Sequence, residues 1–317
     1  EAEREQMLND VLLQALHDHT DWVAAYRILG IAREAVRLAT VRAEAVRGSW
    51  RGGDRPAIDT VEALLQVQDR LLRLQQAELG LRNAALRLSN HLWDAAQRPL
   101  ELQPGVLPDT TELSSPSDPG IDDPGIERAM DVHPLLLQAR ARLDQLEIER
   151  ALRAEGLKPE LGLEYQWLSS AARWNGTDVD GPLVNGHRIG VGFHMPLFLR
   201  KERGELALAR LRVLDADLAL ARDRQRIRTR INERANDITT FTEQVRLGAE
   251  FVRNNERLLA GEDQRFLAGE SSLFLLNARE VPLIDARLRQ VELEARLRKA
   301  YFSLDHEAGA LWRAWAR

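Results

Sequence analysis

The stretches PELGLEYQWLS (residues 159–169) and HRIGVGFHMPLF (residues 187–198) decide how this chain is read. In the first, Leu161, Leu163, Tyr165 and Trp167 fall on one face of an extended strand. Gly162, Glu164 and Gln166 fall on the other, because side chains alternate along a strand. In the second, Ile189, Val191, Phe193, Met195 and Leu197 alternate with Arg188, Gly190, Gly192 and His194. Each segment has about the 9–11 residues that a tilted strand needs to cross a bilayer. One face is apolar and the other polar or tiny, as a lipid-facing wall and a wet lumen require. The same alternation also describes a half-buried strand of a soluble sheet. A lone hairpin is marginal and cannot span a membrane with open edges. The membrane reading therefore calls for further strands, from other copies or from sequence beyond these residues.

Everything around the two stretches reads as long helices. Charged residues make up 29% of the 317 and aromatics only 5%, which suits helices better than a large globular core. Ala, Leu, Arg and Glu, all strong helix formers, dominate. The spacing of apolar residues predicts helices over 1–47, 57–97, 134–156, 200–267 and 273–313. Ile231, Ile238, Val245 and Val252 recur every seven residues, with Ile227 and Phe241 between them, a pattern that winds helices about each other. On the last helix, Ile284, Leu288, Val291, Ala295 and Phe302 form one stripe, and Ala286, Leu293, Leu297, Ala300 and Leu304 a second. Two stripes call for neighbours on two sides. Residues 99–134 hold seven of the twelve prolines and read as an irregular connector.

The helix breaks at Gly53 and Gly269 point to an internal repeat. The interval between these glycines also pairs Leu72 with Leu288, Leu81 with Leu297, Ala84 with Ala300 and Leu88 with Leu304. On that repeat the hairpin at 159–198 has its counterpart ahead of residue 1. The chain opens Glu1-Ala2-Glu3-Arg4-Glu5 as if inside a helix, so the natural protein is expected to begin upstream.

Several functions are excluded by content. With no cysteine there is no thiol nucleophile, thiolate metal site or disulfide. The net charge is −5 and basic residues are interspersed with acids, so no footprint for nucleic acid exists. No apolar run is long enough for a transmembrane helix. His17-Asp18-His19 does not present two ligands on one helix face, and His91, His133, His187 and His306 show no ligand spacing. No nucleophile elbow, phosphate loop or zinc helix occurs. No enzyme, metal site or cofactor is expected.

The break run Phe266-Leu267-Ala268-Gly269-Glu270-Ser271-Ser272-Leu273-Phe274-Leu275-Leu276-Asn277-Ala278-Arg279 carries a family resemblance. So do its counterpart Gly53-Asp54-Arg55-Pro56-Ala57-Ile58-Asp59-Thr60, the prolines Pro134 and Pro159, and the strand end Gly192-Phe193-His194-Met195-Pro196-Leu197-Phe198. In this order they resemble the outer-membrane efflux protein (TolC) family over nearly the whole chain. The resemblance implies a mainly α fold of long antiparallel coiled-coil helices. One β-hairpin would contribute to a trimeric outer-membrane β-barrel. It implies an exit duct of a tripartite efflux or type I secretion system, assembled as a homotrimer. Its partners would be a periplasmic adaptor (membrane fusion) protein, an inner-membrane pump and outer-membrane lipid.

The expected organisation is a first-repeat helical hairpin over 1–98 in the periplasmic tunnel and an equatorial connector over 99–134. A helix follows over 135–158, then a transmembrane hairpin over 159–198 with an extracellular loop at 170–186. A second-repeat helical hairpin covers 199–317. The resemblance places a gate at Asp59, Leu275 and Asn277. Asp59 stands where family members carry a constricting acid, but Leu275 and Asn277 depart from the acidic pattern and favour a partly apolar constriction that gates by dewetting. Asp59 reads equally as a helix N-terminal acid favoured by the macrodipole. Gly53, Gly269, Ser271 and Ser272 are expected at the adaptor contact, although the serines also read as a plain helix cap. Glu164, Gln166, Arg188 and His194 would line the lumen. Leu161, Leu163, Tyr165, Trp167, Ile189, Val191 and Phe193 would face lipid. The competing reading is a soluble coiled-coil scaffold or adaptor that acts by binding protein.

Overall fold

The computed structural model describes residues 2–103, 105–113, 123–169, 172–174, 177–179, 185–194 and 198–315. At 112, 123–124, 166–169, 172–174, 177–179, 185–188 and 314–315 it describes backbone alone. Two compact units result, one from Glu1–Leu135 with Gln225–Arg317, the other from Leu136–Arg224.

In the first unit, α1 (Ala2–Arg51) turns back into α2 (Ala57–Ser89), and the C-terminal part of α5 (Arg200–Leu267) turns back into α6 (Leu273–Glu307). Both turns use one device. Gly53 has φ +83° and Gly269 φ +78°, the left-handed region that favours glycine. Gly53 N–H donates to the Trp50 carbonyl at 3.0 Å and Asp54 N–H to Ser49 at 3.0 Å. Gly269 N–H donates to Phe266 at 3.1 Å and Glu270 N–H to Arg265 at 2.8 Å. This is the Schellman pattern, built twice at equivalent places. Repeat partners Ala84 and Ala300 are both buried, as are Leu88 and Leu304, whereas Leu72 is exposed and Leu288 half-buried. Replacing Gly53 or Gly269 with Ala is expected to cost about 1–2 kcal/mol each, measured by denaturant unfolding.

The helices approach closely because small residues floor the contacts. Leu29 and Ala32 of α1 pack on Ala77 of α2. Trp22, Val23, Ala24, Ala84, Leu88, Val291 and Ala295 bring α1, α2 and α6 together. A polar ladder then sets α6 antiparallel on α1: Arg42 with Glu280, Arg27 with Glu294, Asp21 with Lys299 at 2.5 Å, and Asp10 with His306 at 2.7 Å. The last three pairs are partly exposed and worth little each, so they fix register more than stability. Both stripes on α6 are covered: Val291 and Ala295 lie in the core with α1, and Leu293 and Gln290 lie where a Cβ on Gly248 of α5 would meet them.

Several boundaries differ from the sequence expectation. The connector contains a 3-10 turn (Thr111–Leu113) and a helix, α3 (Asp123–Val132). Pro124 suits the first turn of that helix, and Ile126 and Met130, four apart, are buried. Helix α2 ends at Ser89, whose hydroxyl donates back to the Ala85 carbonyl at 2.8 Å and accepts the Leu102 N–H at 3.0 Å. The last helix stops at Glu307 and resumes as α7 (Leu311–Trp315). Gly309 sits between them at φ +67°, and a Cβ there would meet Pro134 Cδ at 2.8 Å. Pro282 lies inside α6, where it removes one helix hydrogen bond.

His17, half-buried beside the Ser303 hydroxyl and Lys299 carbonyl at 3.4 Å, and the buried His133 have pKa values lowered by burial. The unfolded chain therefore takes up protons near pH 6.5 that the folded chain still refuses. Above that pH the two contribute no pH dependence; as pH falls below it, stability is expected to drop until the folded-state pKa values are passed. The drop is expected to shrink in His133→Gln, read from denaturation midpoints between pH 7.5 and 5.

In the second unit, α4 (Pro134–Glu155) runs antiparallel to the start of α5, with Arg153 on Glu205 at 2.9 Å and Arg212 on Glu149 at 3.1 Å. Between them β1 (Glu160–Ser169) pairs antiparallel with β4 (Asn185–His194). Met195 and Leu197 lie outside the described residues. The expected loop 170–186 contains a second small hairpin, β2 (Ala172–Trp174) with β3 (Thr177–Val179). The two residues between these strands are Asn175-Gly176, a strong hairpin signal that the length of the segment had masked.

Candidate functional site

The site has two parts, one in each unit: the paired helix tips and the β1–β4 hairpin.

At the tips, Val46 of α1, Ala63 of α2 and Leu273 of α6 form a shared buried cluster, with Phe266 packed against it. Arg55 ties the two turns together. Its guanidinium lies over the Phe266 ring, 4.5 Å from the centroid, and bonds the Asp59 carboxylate at 3.4 Å. Asp59 stands in the first turn of α2, half-buried and held by Arg55. Leu275 is exposed. Asn277 is not: it is 6% exposed, and its amide donates to Glu62 at 3.3 Å while its oxygen faces Arg42 at 3.5 Å. Of the three residues expected at a gate, Asn277 is thus engaged in contacts between α1, α2 and α6.

Gly53, Gly269 and Ser272 are exposed at the turns and Ser271 half-exposed. Ser272 is the N-cap of α6, its hydroxyl accepting the Leu275 N–H at 3.3 Å. The Ser271 hydroxyl donates to buried Glu262 at 2.5 Å, holding the turn against α5. Large apolar side chains surround the turns in the open: Ile58, Leu267 and Phe274.

Sequence reasoning missed the charge cluster beside Asn277. The Glu280 carboxylate, 2% exposed, bonds Arg42 and lies 3.8 Å from Arg70, itself 2% exposed. Two guanidiniums share one carboxylate in the interior. Nothing in the sequence marks these three among 44 basic and 49 acidic residues.

On the hairpin, the register sets Leu161 opposite Phe193, Leu163 opposite Val191 and Tyr165 opposite Ile189. These six are all exposed, Leu163 at 78%. On the alternate positions Gly162 faces Gly192, Glu164 faces Gly190, and Glu160 faces His194. Gln166 pairs with Arg188 and Trp167 with His187 in the backbone register, their side chains lying outside the described residues. No helix of the described residues is long and apolar enough to cross a membrane. Among the described residues no group of side chains could hold a metal ion.

No curated protein matches the chain significantly in sequence. The fold is similar to that of the outer membrane channel CmeC of Campylobacter jejuni: TM-score 0.74, 15% identity, 98% of this chain and 64% of that one covered. It is similar to the outer membrane protein VceC of Vibrio cholerae (0.76, 14%, 98% and 72%) and to the open state of the Neisseria gonorrhoeae outer membrane channel MtrE (0.78, 14%, 98% and 68%). The chain spans roughly two thirds of the length of each of these relatives. Residues 125–310 match the model of the outer membrane efflux protein family. That match covers more than half of the chain, and with it the hairpin and the second helical pair. This chain belongs to the outer membrane efflux protein family.

Proposed function

We propose that three copies of the protein assemble into an exit duct whose wall at the outer membrane is built partly from the β1–β4 hairpin. The family is one of outer-membrane channels rather than of enzymes, which favours the duct over the soluble scaffold. The observation that carries the reading is the hairpin. Its apolar face Leu161, Leu163, Tyr165, Ile189, Val191 and Phe193 is exposed. Glycines and charged residues occupy the alternate positions. Lipid on the first face and water on the second satisfies both. On this reading Trp167 joins the lipid face, and Glu164, Gln166, Arg188 and His194 line the lumen.

The assembly as a homotrimer has support on α2. Ile58, Leu65, Leu72, Leu79 and Leu86 recur every seven residues and are all exposed, so the stripe is left for a neighbouring copy. The turns at Gly53 and Gly269, with Ser271, Ser272 and the apolar side chains around them, form the surface for a periplasmic adaptor protein, behind which stands an inner-membrane pump. Asp59 and Leu275 narrow the duct at this end. The organisation follows: tunnel helices over 1–98 and 199–317, an equatorial segment over 99–134, helix 135–158, and the membrane hairpin over 159–198.

The test is the particle mass and membrane partition of the expressed protein. A detergent-extracted outer-membrane trimer is expected; a water-soluble monomer or dimer would sink the duct. For the gate, Asp59→Ala is expected to raise single-channel conductance, because it removes a carboxylate and frees Arg55. Unchanged conductance would leave Asp59 as a helix-terminal acid only.

A further inference from the structure

We propose that the groove between α1, α2 and α6 is a binding site for an amphipathic carboxylate, a molecule with an apolar chain and one carboxylate head held by Arg70. The groove opens into a cavity of about 350 Å³, within the range of small-molecule pockets. Its walls are Ile28, Ala32 and Ala35 of α1 and Ile284 and Leu288 of α6. The polar side chains on it are Arg70, Arg73 and Gln76 of α2, so two guanidiniums and no carboxylate line an apolar recess.

Arg73 is already paired, with Asp69 and Asp285 both at 3.0 Å. Arg70 is not equally served. Its nearest acid is Glu280 at 3.8 Å, which also serves Arg42, and its Nε and Nη1 groups have no hydrogen-bond acceptor among the described residues. A buried guanidinium with idle donors costs free energy until an acceptor arrives. Water would meet the donors but not the charge, and the apolar walls offer it few other partners. A carboxylate meets both, with two parallel bonds to the guanidinium fork, while its chain covers the alanine and isoleucine walls. Nε and Nη1 are covered by neighbouring atoms, so binding turns the guanidinium towards the recess about its long side chain. Desolvation holds the Arg70 pKa below its ordinary value, and an anion at the head would raise it again. A helix from a neighbouring copy, about 10 Å across with its side chains, does not enter a recess of this size, which favours a free amphiphile.

The probe is decanoate below its micellar concentration, titrated calorimetrically into the purified full chain in nonionic detergent, with carboxyl-labelled decanoate observed by carbon NMR. The expected result is one saturable site per chain with a shifted carboxyl resonance, and 1-decanol roughly tenfold or more weaker. Arg70→Met should weaken decanoate to the level of decanol. Gly80→Leu should block both ligands, since Gly80 lines the cavity with open space where its Cβ would stand. Absence of saturable binding, equal affinity for decanol, or an unchanged affinity in Gly80→Leu would each overturn the proposal. So would sedimentation showing that Arg70→Met disrupts self-association while decanoate fails to bind, because the carboxylate would then come from a second copy. If Arg70→Met does not fold, the decanol comparison and Gly80→Leu decide.

Discussion

Glu280→Ala is expected to destabilise the first unit by about 3–5 kcal/mol, the cost of stripping a buried charge pair of one partner. Glu280 is the carboxylate that Arg42 and Arg70 share. Arg42 is a fifth exposed and can turn its charge to water, whereas the Arg70 side chain is 1% exposed and must first swing its guanidinium into the groove. Glu280→Gln should cost less, because the amide oxygen still accepts from Arg42 while the charge is lost. The decisive comparison is the double variant Arg70→Met/Glu280→Met. Swapping a whole buried ion pair for apolar side chains of similar size is often neutral, so the double variant should recover most of what Glu280→Ala loses. Urea unfolding of the three variants checks this. A loss in the double variant as large as that of Glu280→Ala would mean that an unpaired buried charge does not set the cost.

Asn277 would feel the same change, since its oxygen faces Arg42 and its amide bonds Glu62. The cluster therefore joins three helices just behind the turns. In an assembled duct, loosening it should also let the turns at Gly53 and Gly269 part more easily.

Much of this architecture was legible because it is written in backbone chemistry and periodicity. The glycines at 53 and 269 announced two matching turns, and the same pair of hydrogen bonds closes both. The alternation in 159–169 and 187–198 gave the strands and, through their spacing, the antiparallel pair. The errors fell where one signal hid another. Seven prolines in 99–134 drew attention from the Ile126 and Met130 pair that buries α3, and a polar run hid the Asn-Gly between β2 and β3. The Arg42–Glu280–Arg70 cluster could not be read at all. Arginine and glutamate occupy every face of these helices, and which of them are buried depends on how the three helices meet. The same reason puts Asn277, expected at a gate, in the interior: its place eight residues past the tip glycine says nothing of which neighbour it faces.

Leu163→Arg is expected to prevent stable insertion of the hairpin into the outer membrane, whereas Glu164→Arg, one residue on, is expected to be tolerated. A one-residue step on a strand changes the face, so the pair separates lipid exposure from any general intolerance of arginine. An arginine on the lipid face near the bilayer midplane costs about 2–4 kcal/mol, and a threefold assembly repeats that cost in every copy. Leu163 stands opposite Val191, with Leu161–Phe193 and Tyr165–Ile189 on either side, so the charge would enter the middle of the apolar band. Glu164 is exposed and stands opposite Gly190, which carries no side chain to crowd a longer one. The readout is the fraction of protein recovered from outer membranes as a detergent-resistant trimer. Membrane recovery of Leu163→Arg at the level of Glu164→Arg would remove lipid from that face. The exposed row Leu161, Leu163, Tyr165, Ile189, Val191 and Phe193 would then need a protein cover instead, and the hairpin would no longer argue for a membrane wall.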